Sequence, residues 1–482
     1  MTSETYQPER KAIYFSKLEP LFFYFLFAAA IYFVYVKTSL ALPFFFILLG
    51  VAWFSKRNYF WMAFFFIILD CPAWFFMSTP TSNLPLIKIL PGASLSPIDC
   101  FTVLMTIKAF LQHRHSRLNL ALKIPLMLLV VYFIFSFFWG ILFYSESLDA
   151  SVTYIRPVIY FFWYIFFTTF IKSEEDIFRF INLIFPIVFF IIIDQFYFLS
   201  TGEEFISFFD PYAREILVIN TVTGELRPMA TSVEILLFSY LGGLLLIKRK
   251  VKLINKPYIY LVVITAFLSM FISATRVLFV IFTIIFIGVF SRRIKDAVQI
   301  TAVVLLILLL VFVLIKFGVI SEEYLKESAW GRISQVFMFF EGKGSQIDTF
   351  GGRLLQLRVL QDKISQNMIL GYGFSSVSAA YYDNDWGFFN TILVLGVIGF
   401  LLYIFLFISY FKMILSTLRR MGQENIHRES LRVLLIGFIA MLVGYFFTWD
   451  FFTPFYAYKS AFIMIFFGIS EILARRDVSE NS

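Results

Sequence analysis

Runs of apolar positions divide the chain into about fourteen segments when it is scanned with a window near 20 residues, the length that crosses a bilayer as helix. They lie near 18–36, 40–54, 59–78, 97–112, 122–143, 154–171, 180–199, 233–247, 257–275, 277–290, 298–317, 386–411, 433–452 and 456–473. Continuous runs dominate over the short alternating segments of a membrane barrel. In hydrocarbon every backbone N–H and C=O must be satisfied within the segment, so these runs predict helices. The expected fold is an all-α polytopic membrane protein with eleven spans over 1–317, a polar stretch at 318–385 and the remaining spans over 386–482.

Lys and Arg sort the connections into two sets. Alternate ones carry Lys56-Arg57, Arg114 with Arg117, Lys172 with Arg179, KRKVKLINK from Lys248, Arg292-Arg293 with Lys295, Arg419-Arg420 with Arg428, and Arg475-Arg476. The intervening short ones hold mostly single cations such as Lys37 and Lys88. Basic loops stay in the cytoplasm, and an even span count puts both termini there. Two longer connections, near 200–232 and 318–385, then fall outside. In the second, Ser321-Glu322-Glu323 resembles a helix start and the leucines of Gly351–Gln366 are helically spaced. These features predict a small helical cap on the outer face.

Composition agrees. The 482 residues are 60% hydrophobic and 15% charged, against roughly a quarter charged in soluble chains, and Phe occurs 67 times. A formal charge of +8 would suit nucleic acid, but the cations are dispersed among loops and are accounted for by topology. Cys71 and Cys100 form no metal or redox motif, so free thiols are expected. The polar stretch before Pro20 followed by an apolar run reads as a first anchor rather than a cleaved leader.

Against this background the stretch YDNDWGFFNTILVLGVIG, Tyr382–Gly399, sets Asp383 and Asp385 at the start of an apolar run on the outer side. An aspartate there caps a helix and suits its positive dipole end, although one cap explains one aspartate better than two. Arginines gather on the same side: Arg156 in TYIRP, Arg227 in GELRPM, Arg276 in ISATRV, Arg332 in WGRIS, Arg353 in GGRLLQ, and Arg358. A lone arginine at a membrane end snorkels to head groups. Topogenesis gives no reason to collect several outside, whereas a pyrophosphate does, because guanidinium binds phosphate bidentately and stays charged. His113, His115 and His427 all fall in connections assigned to the cytoplasm, so either Asp383, Asp385 or Glu234 serves as outward base or stabilisation of the leaving group does most of the work. Tyr372, Tyr381, Tyr382 and Trp386 suit sugar faces or, more ordinarily, an interfacial aromatic belt. Asp70, Asp194 and Asp450 lie near span ends, where capping or pairing accounts for them.

Several of these stretches together resemble the O-antigen polymerase and ligase superfamily, in particular its polymerase (Wzy-type) branch. The resemblance covers about Leu148–Tyr403. It rests on SLDASVTYIRPVIYFFWYIFF followed by KSEEDIFRFI, on ISATRVLFVIF, and on WGRISQ with GGRLLQLRVLQDKISQNMILGYGFSS. It ends on Asp385-Trp386, nine residues, and Gly396-Val397-Ile398-Gly399. The ligase branch carries a histidine and a small polar residue where Asp385-Trp386 stand.

The resemblance implies a polyprenyl-dependent, GT-C-like membrane glycosyltransferase in the bacterial inner membrane, with its active face in the periplasm. Such an enzyme moves a growing chain from undecaprenyl pyrophosphate to the non-reducing end of a new lipid-linked repeat unit, with no metal, cofactor or nucleotide sugar. A chain-length regulator and a flippase of the same pathway are the implied partners. Arg276 and Arg353 are then expected at the pyrophosphate, with Arg156, Arg227, Arg332 and Arg358 around them. Asp385, then Asp383 and Glu234, are expected at the acceptor hydroxyl, and Tyr372, Tyr382 and Trp386 at sugar. The alternatives are the ligase of the same superfamily and a lipid-linked glycan flippase; the latter predicts repeated halves and Gly/Pro-interrupted spans, for which the sequence offers no convincing repeat.

Overall fold

A computed structural model describes residues 18–69, 87–90, 93–113, 120–144, 146–201, 232–249, 254–273, 276–290, 348–382, 386–422, 425–447, 451–452 and 454–480. Their helices are α1 (Leu18–Tyr35), α2 (Thr38–Phe54), α3 (Asn58–Leu69), α4 (Pro97–His113), α5 (Lys123–Tyr144), α6 (Leu148–Ile155), α7 (Trp163–Phe170) and α8 (Glu174–Thr201). They continue with α9 (Val233–Arg249), α10 (Lys256–Ile272), α11 (Arg276–Phe290), α12 (Asp348–Gln366), α13 (Ser376–Tyr381), α14 (Gly387–Arg420), α15 (Ile426–Phe447) and α16 (Ala457–Glu480). Every apolar segment of the sequence except 298–317, which lies outside the described residues, overlaps one of these helices or, at 154–171, a composite. Among the described residues, five stretches are long and apolar enough to cross a membrane: Lys123–Tyr144, Ala150–Phe170, Glu174–Thr201, Gly387–Arg420 and His427–Phe446. The chain is a helical, multi-pass membrane protein.

Three features depart from the expectation of plain helices. A two-stranded antiparallel hairpin, β1 (Ile87–Leu90) and β2 (Ala93–Leu95), precedes α4, with Ile87 opposite Leu95. The segment 154–171 is α6, a 3₁₀ stretch Arg156–Phe162 with Pro157 in its first turn, and α7. Lastly, α14 is interrupted at Gly396, where φ is 66° and ψ −175°. Of the expected cap, α12 and α13 are described, whereas 318–347 lies outside the described residues.

Phenylalanine builds the interior. Phe65 stacks on Phe101 at 4.1 Å, and Phe66, Phe180, Phe238, Trp163 and Phe167 interlock through further ring contacts. A second aromatic knot joins Tyr410, Phe438, Phe452, Phe466 and Phe467 across α14, α15 and α16. The outer surface is equally apolar, with Phe54 84%, Leu142 74% and Phe25 68% exposed. An apolar exterior this complete suits acyl chains rather than water. Buried hydroxyls return to their own helices: Thr102, Thr106, Thr168 and Thr417 each donate to the carbonyl four residues back, at 2.7–3.0 Å.

Candidate functional site

The connections rich in Lys and Arg meet at one end of the bundle. There Arg249 pairs with Glu174 at 2.6 Å, and buried His427 stands 3.7 Å from the same carboxylate. Arg57 and the Tyr59 hydroxyl reach Glu19 at 3.4 and 2.6 Å, while Arg179 donates to Tyr59 at 3.1 Å and pairs with Glu175. Arg475 and Tyr164 share the buried Glu471. Within this basic end the cations are held in place by carboxylates, of which Glu174 and Glu175 belong to the quoted stretch KSEEDIFRFI whereas Glu19 and Glu471 carry no signal of their own in the sequence.

At the opposite end Arg156 is committed to a pair. Its Nε lies 2.8 Å from Asp99 Oδ2 and its Nη1 donates to the Ser94 carbonyl at 3.1 Å. Asp99 is fully buried and accepts from the Tyr160 hydroxyl at 2.6 Å. It also exchanges capping bonds with Ser96, the Ser96 N–H donating to its Oδ2 at 2.7 Å and its own N–H to Ser96 Oγ at 3.2 Å. Ser96-Pro97-Ile98-Asp99 is thus a capping box, a signal readable in sequence. Arg156, expected beside a pyrophosphate, neutralises this acid and ties the hairpin to the 3₁₀ turn.

The segment between α12 and α13 enters the break in α14. The backbone N–H groups of Tyr372 and Gly373 donate to Leu393 and Val394 carbonyls at 2.8 Å, and those of Val397 and Ile398 donate to Met368 and Ile369 at 2.9 and 3.3 Å. Leu395 accepts from the Tyr132 hydroxyl at 2.8 Å, and Gly371 from Trp139 Nε1 at 3.1 Å. The groups freed by unwinding are thereby satisfied, as hydrocarbon requires. At Gly373, with φ 64°, a Cβ would meet the Ser136 carbonyl at 2.3 Å; only glycine fits there. Here lies the physical content of the G-x-G turn and of the first glycine of Gly396-Val397-Ile398-Gly399.

The aromatic candidates surround this segment. Tyr372 is buried, packs its ring at a tilt against Tyr144 at 5.1 Å and donates to the Lys363 carbonyl at 3.0 Å. Tyr382 meets Phe455 and Tyr456 edge-on at 5.2 and 5.6 Å. Trp386 occupies the N-cap position of α14, and its Nε1 is buried with no hydrogen-bond partner among the described residues. Asp383 and Asp385, between Tyr382 and Trp386, lie outside the described residues, as do Arg227 and Arg332. Arg276 begins α11 and Arg353 lies in α12, their side chains outside the described set; Arg358 is exposed on α12. Glu234 is buried in the first turn of α9.

Sequence reasoning misses two charged residues of this end. Glu146 accepts from the Ser376 N–H at 2.6 Å and so fastens α13 to the α5–α6 connection. Lys459 is 1% exposed in the first turn of α16, its Nζ 4.7 Å from the Tyr456 ring. A single acid or lysine carries no spacing signal, and only packing against Tyr456 and α13 singles these out. Asp194 is buried in α8, near the Gln195–Ser269 hydrogen bond of 2.7 Å. No protein-family model matches the chain, and no curated protein does.

Proposed function

We propose that the chain is a bacterial inner-membrane glycan polymerase, moving a growing polysaccharide from undecaprenyl pyrophosphate onto a lipid-linked repeat unit. One observation carries this choice. The positions that resemble the polymerase branch, with Arg156 and Arg276 at helix starts, Arg358 within α12, and Tyr382 and Trp386 beside the start of α14, lie away from the basic end of the bundle. Positive charge is topogenically disfavoured on that side, so a cluster there calls for an anionic ligand.

In the proposed reaction the acceptor hydroxyl oxygen bonds to the anomeric carbon of the donor glycan as the carbon–oxygen bond to pyrophosphate breaks. The hydroxyl proton passes to a carboxylate, with Asp385 first and Asp383 or Glu234 next. Arg276 and Arg353 take up the charge that develops on the leaving undecaprenyl pyrophosphate. Arg156, given its pair with Asp99, serves to hold the hairpin and the 3₁₀ turn in place.

One feature favours the flippase as second reading: interrupted helices are typical of transporters, and α14 is interrupted. Its break is filled by the chain's own backbone, which fits a fixed scaffold better than a rocking gate.

A lipopolysaccharide gel of a deletion strain separates the readings. A core bearing one repeat unit is expected. Bare core with long lipid-linked polymer would make the protein a ligase, and bare core with units trapped inside a flippase. On the same gel Asp385→Asn, Arg276→Lys and Arg353→Lys should each shorten or abolish the ladder at unchanged protein level. Full ladders from both lysine variants would remove the pyrophosphate assignment.

A further inference from the structure

The turn that joins α12 to the inserted segment carries an anomaly. Met368 is 56% and Ile369 67% exposed, at the end of a helix whose neighbouring exposed positions are polar: Gln361, Asp362, Ser365 and Gln366. The same two residues supply the carbonyls that receive Val397 and Ile398, so the turn is fixed at the level of the α14 break.

The length of α14 places that level. Its 34 residues make a helix about 51 Å long, whereas the hydrocarbon layer is about 30 Å thick. With Arg419 and Arg420 at one head-group layer, about 20 residues of span counted back from Ser416 end at Val397. By this count the break lies towards the outer side of the hydrocarbon layer, with α12 packed beside the part of α14 that precedes it. On the membrane side of the break the exposed strip of α14 continues through Ile398, Leu401, Phe405 and Ile408. Across the turn, α5 exposes Phe138, Leu142 and Phe143, with Trp139 stacked on Phe143 at 3.7 Å. Met368 and Ile369 extend this apolar collar without a gap in character.

We propose that the 367–370 turn is a membrane-dipping anchor: Met368 and Ile369 insert into the acyl chains of the leaflet, and the cap base of α12 and α13 is seated on the lipid rather than standing free in water. The occupant of this surface is bilayer lipid, as the continuity with the lipid-facing strips of α14 and α5 requires. Interfacial anchors combine apolar tips with cations at head-group level, and the exposed Arg358 lies on the same helix, away from the tip. The inference concerns membrane seating alone and holds whichever reaction the protein performs.

The test is spin-label accessibility in nanodiscs, on the full chain with Cys71 and Cys100 replaced by Ser and Ala. Labels at Met368→Cys and Ile369→Cys should be relaxed several-fold more by oxygen than by a water-soluble nickel chelate, matching a label at Leu401→Cys. Labels at Gln361→Cys and Ser365→Cys should show the reverse. All five positions are exposed, so the substitutions leave the fold intact. Preference for the nickel chelate at 368 and 369 would put the turn in water and overturn the proposal. Shielding from both reagents there would also overturn it, with a protein partner in place of lipid.

Discussion

Arg156 and Asp99 show what one buried charge demands. Asp99 has no contact with solvent, and its Oδ2 is shared between the Ser96 cap and Arg156 Nε. Removing the guanidinium leaves an ionised acid in a low-dielectric interior, a loss of about 3–5 kcal/mol. Arg156→Leu is therefore expected to lower the thermal midpoint of the purified protein markedly. Arg156→Leu with Asp99→Asn should recover much of the loss, because the charge to be solvated is gone. If Arg156→Leu keeps the wild-type midpoint and loses only activity, Arg156 belongs to the ligand site after all. Sequence shows Arg156 as a cation on an unexpected side but not its partner, 57 positions earlier at the start of α4. Such pairing is a property of packing, and only the capping spacing of Ser96 and Asp99 is local enough to be read.

At the scale of elements, hydropathy locates the helices because burial in lipid and in the core both select apolar residues. For the same reason it cannot see the interruption of α14, where Leu395-Gly396-Val397 is as apolar as its surroundings. Backbone conformation makes the difference. A Cβ at Gly396 would lie 2.1 Å from the Ile369 carbonyl, and φ of 66° is strained for any side chain. Gly396→Ala should cost more than about 2 kcal/mol and detach the inserted segment, read as a lower thermal midpoint and faster amide exchange at Tyr372 and Gly373. Gly50, in α2, has open space where a methyl would stand, with no atom within 4 Å, so Gly50→Ala should be neutral or gain up to about 1 kcal/mol of helix propensity. Equal effects of the two changes would mean the break is not set by Gly396. The 3₁₀ stretch at Arg156-Pro157 and the hairpin before α4 are likewise hidden from hydropathy, although Pro157 is a residue such a stretch uses.

For the whole molecule, orientation decides whether the candidate site can do what is proposed. Helices that alternate in direction bring Glu19, Arg57, Arg179, Arg249, His427 and Arg475 to one end, and Glu146, Arg156, Tyr382 and Lys459 to the other. Positive-inside bias then predicts the first end in the cytoplasm. In a background without Cys71 and Cys100, cysteines at the exposed Lys37 and Ser200 should react with a membrane-impermeant maleimide in intact spheroplasts. A cysteine at the exposed Gly422, in the α14–α15 connection, should react only after permeabilisation. The reverse pattern would turn Arg276, Arg358 and Trp386 towards the cytoplasm, where polymerisation on the outer leaflet is impossible. Labelling of Lys37 and Gly422 from the same side would instead change the parity of crossings between them. The error would then lie first with the segment 298–317 or the composite at 154–171, since neither is a single described helix. Only the first pattern, reactive at Lys37 and Ser200 and silent at Gly422, leaves the arginines facing a lipid pyrophosphate displayed in the outer leaflet.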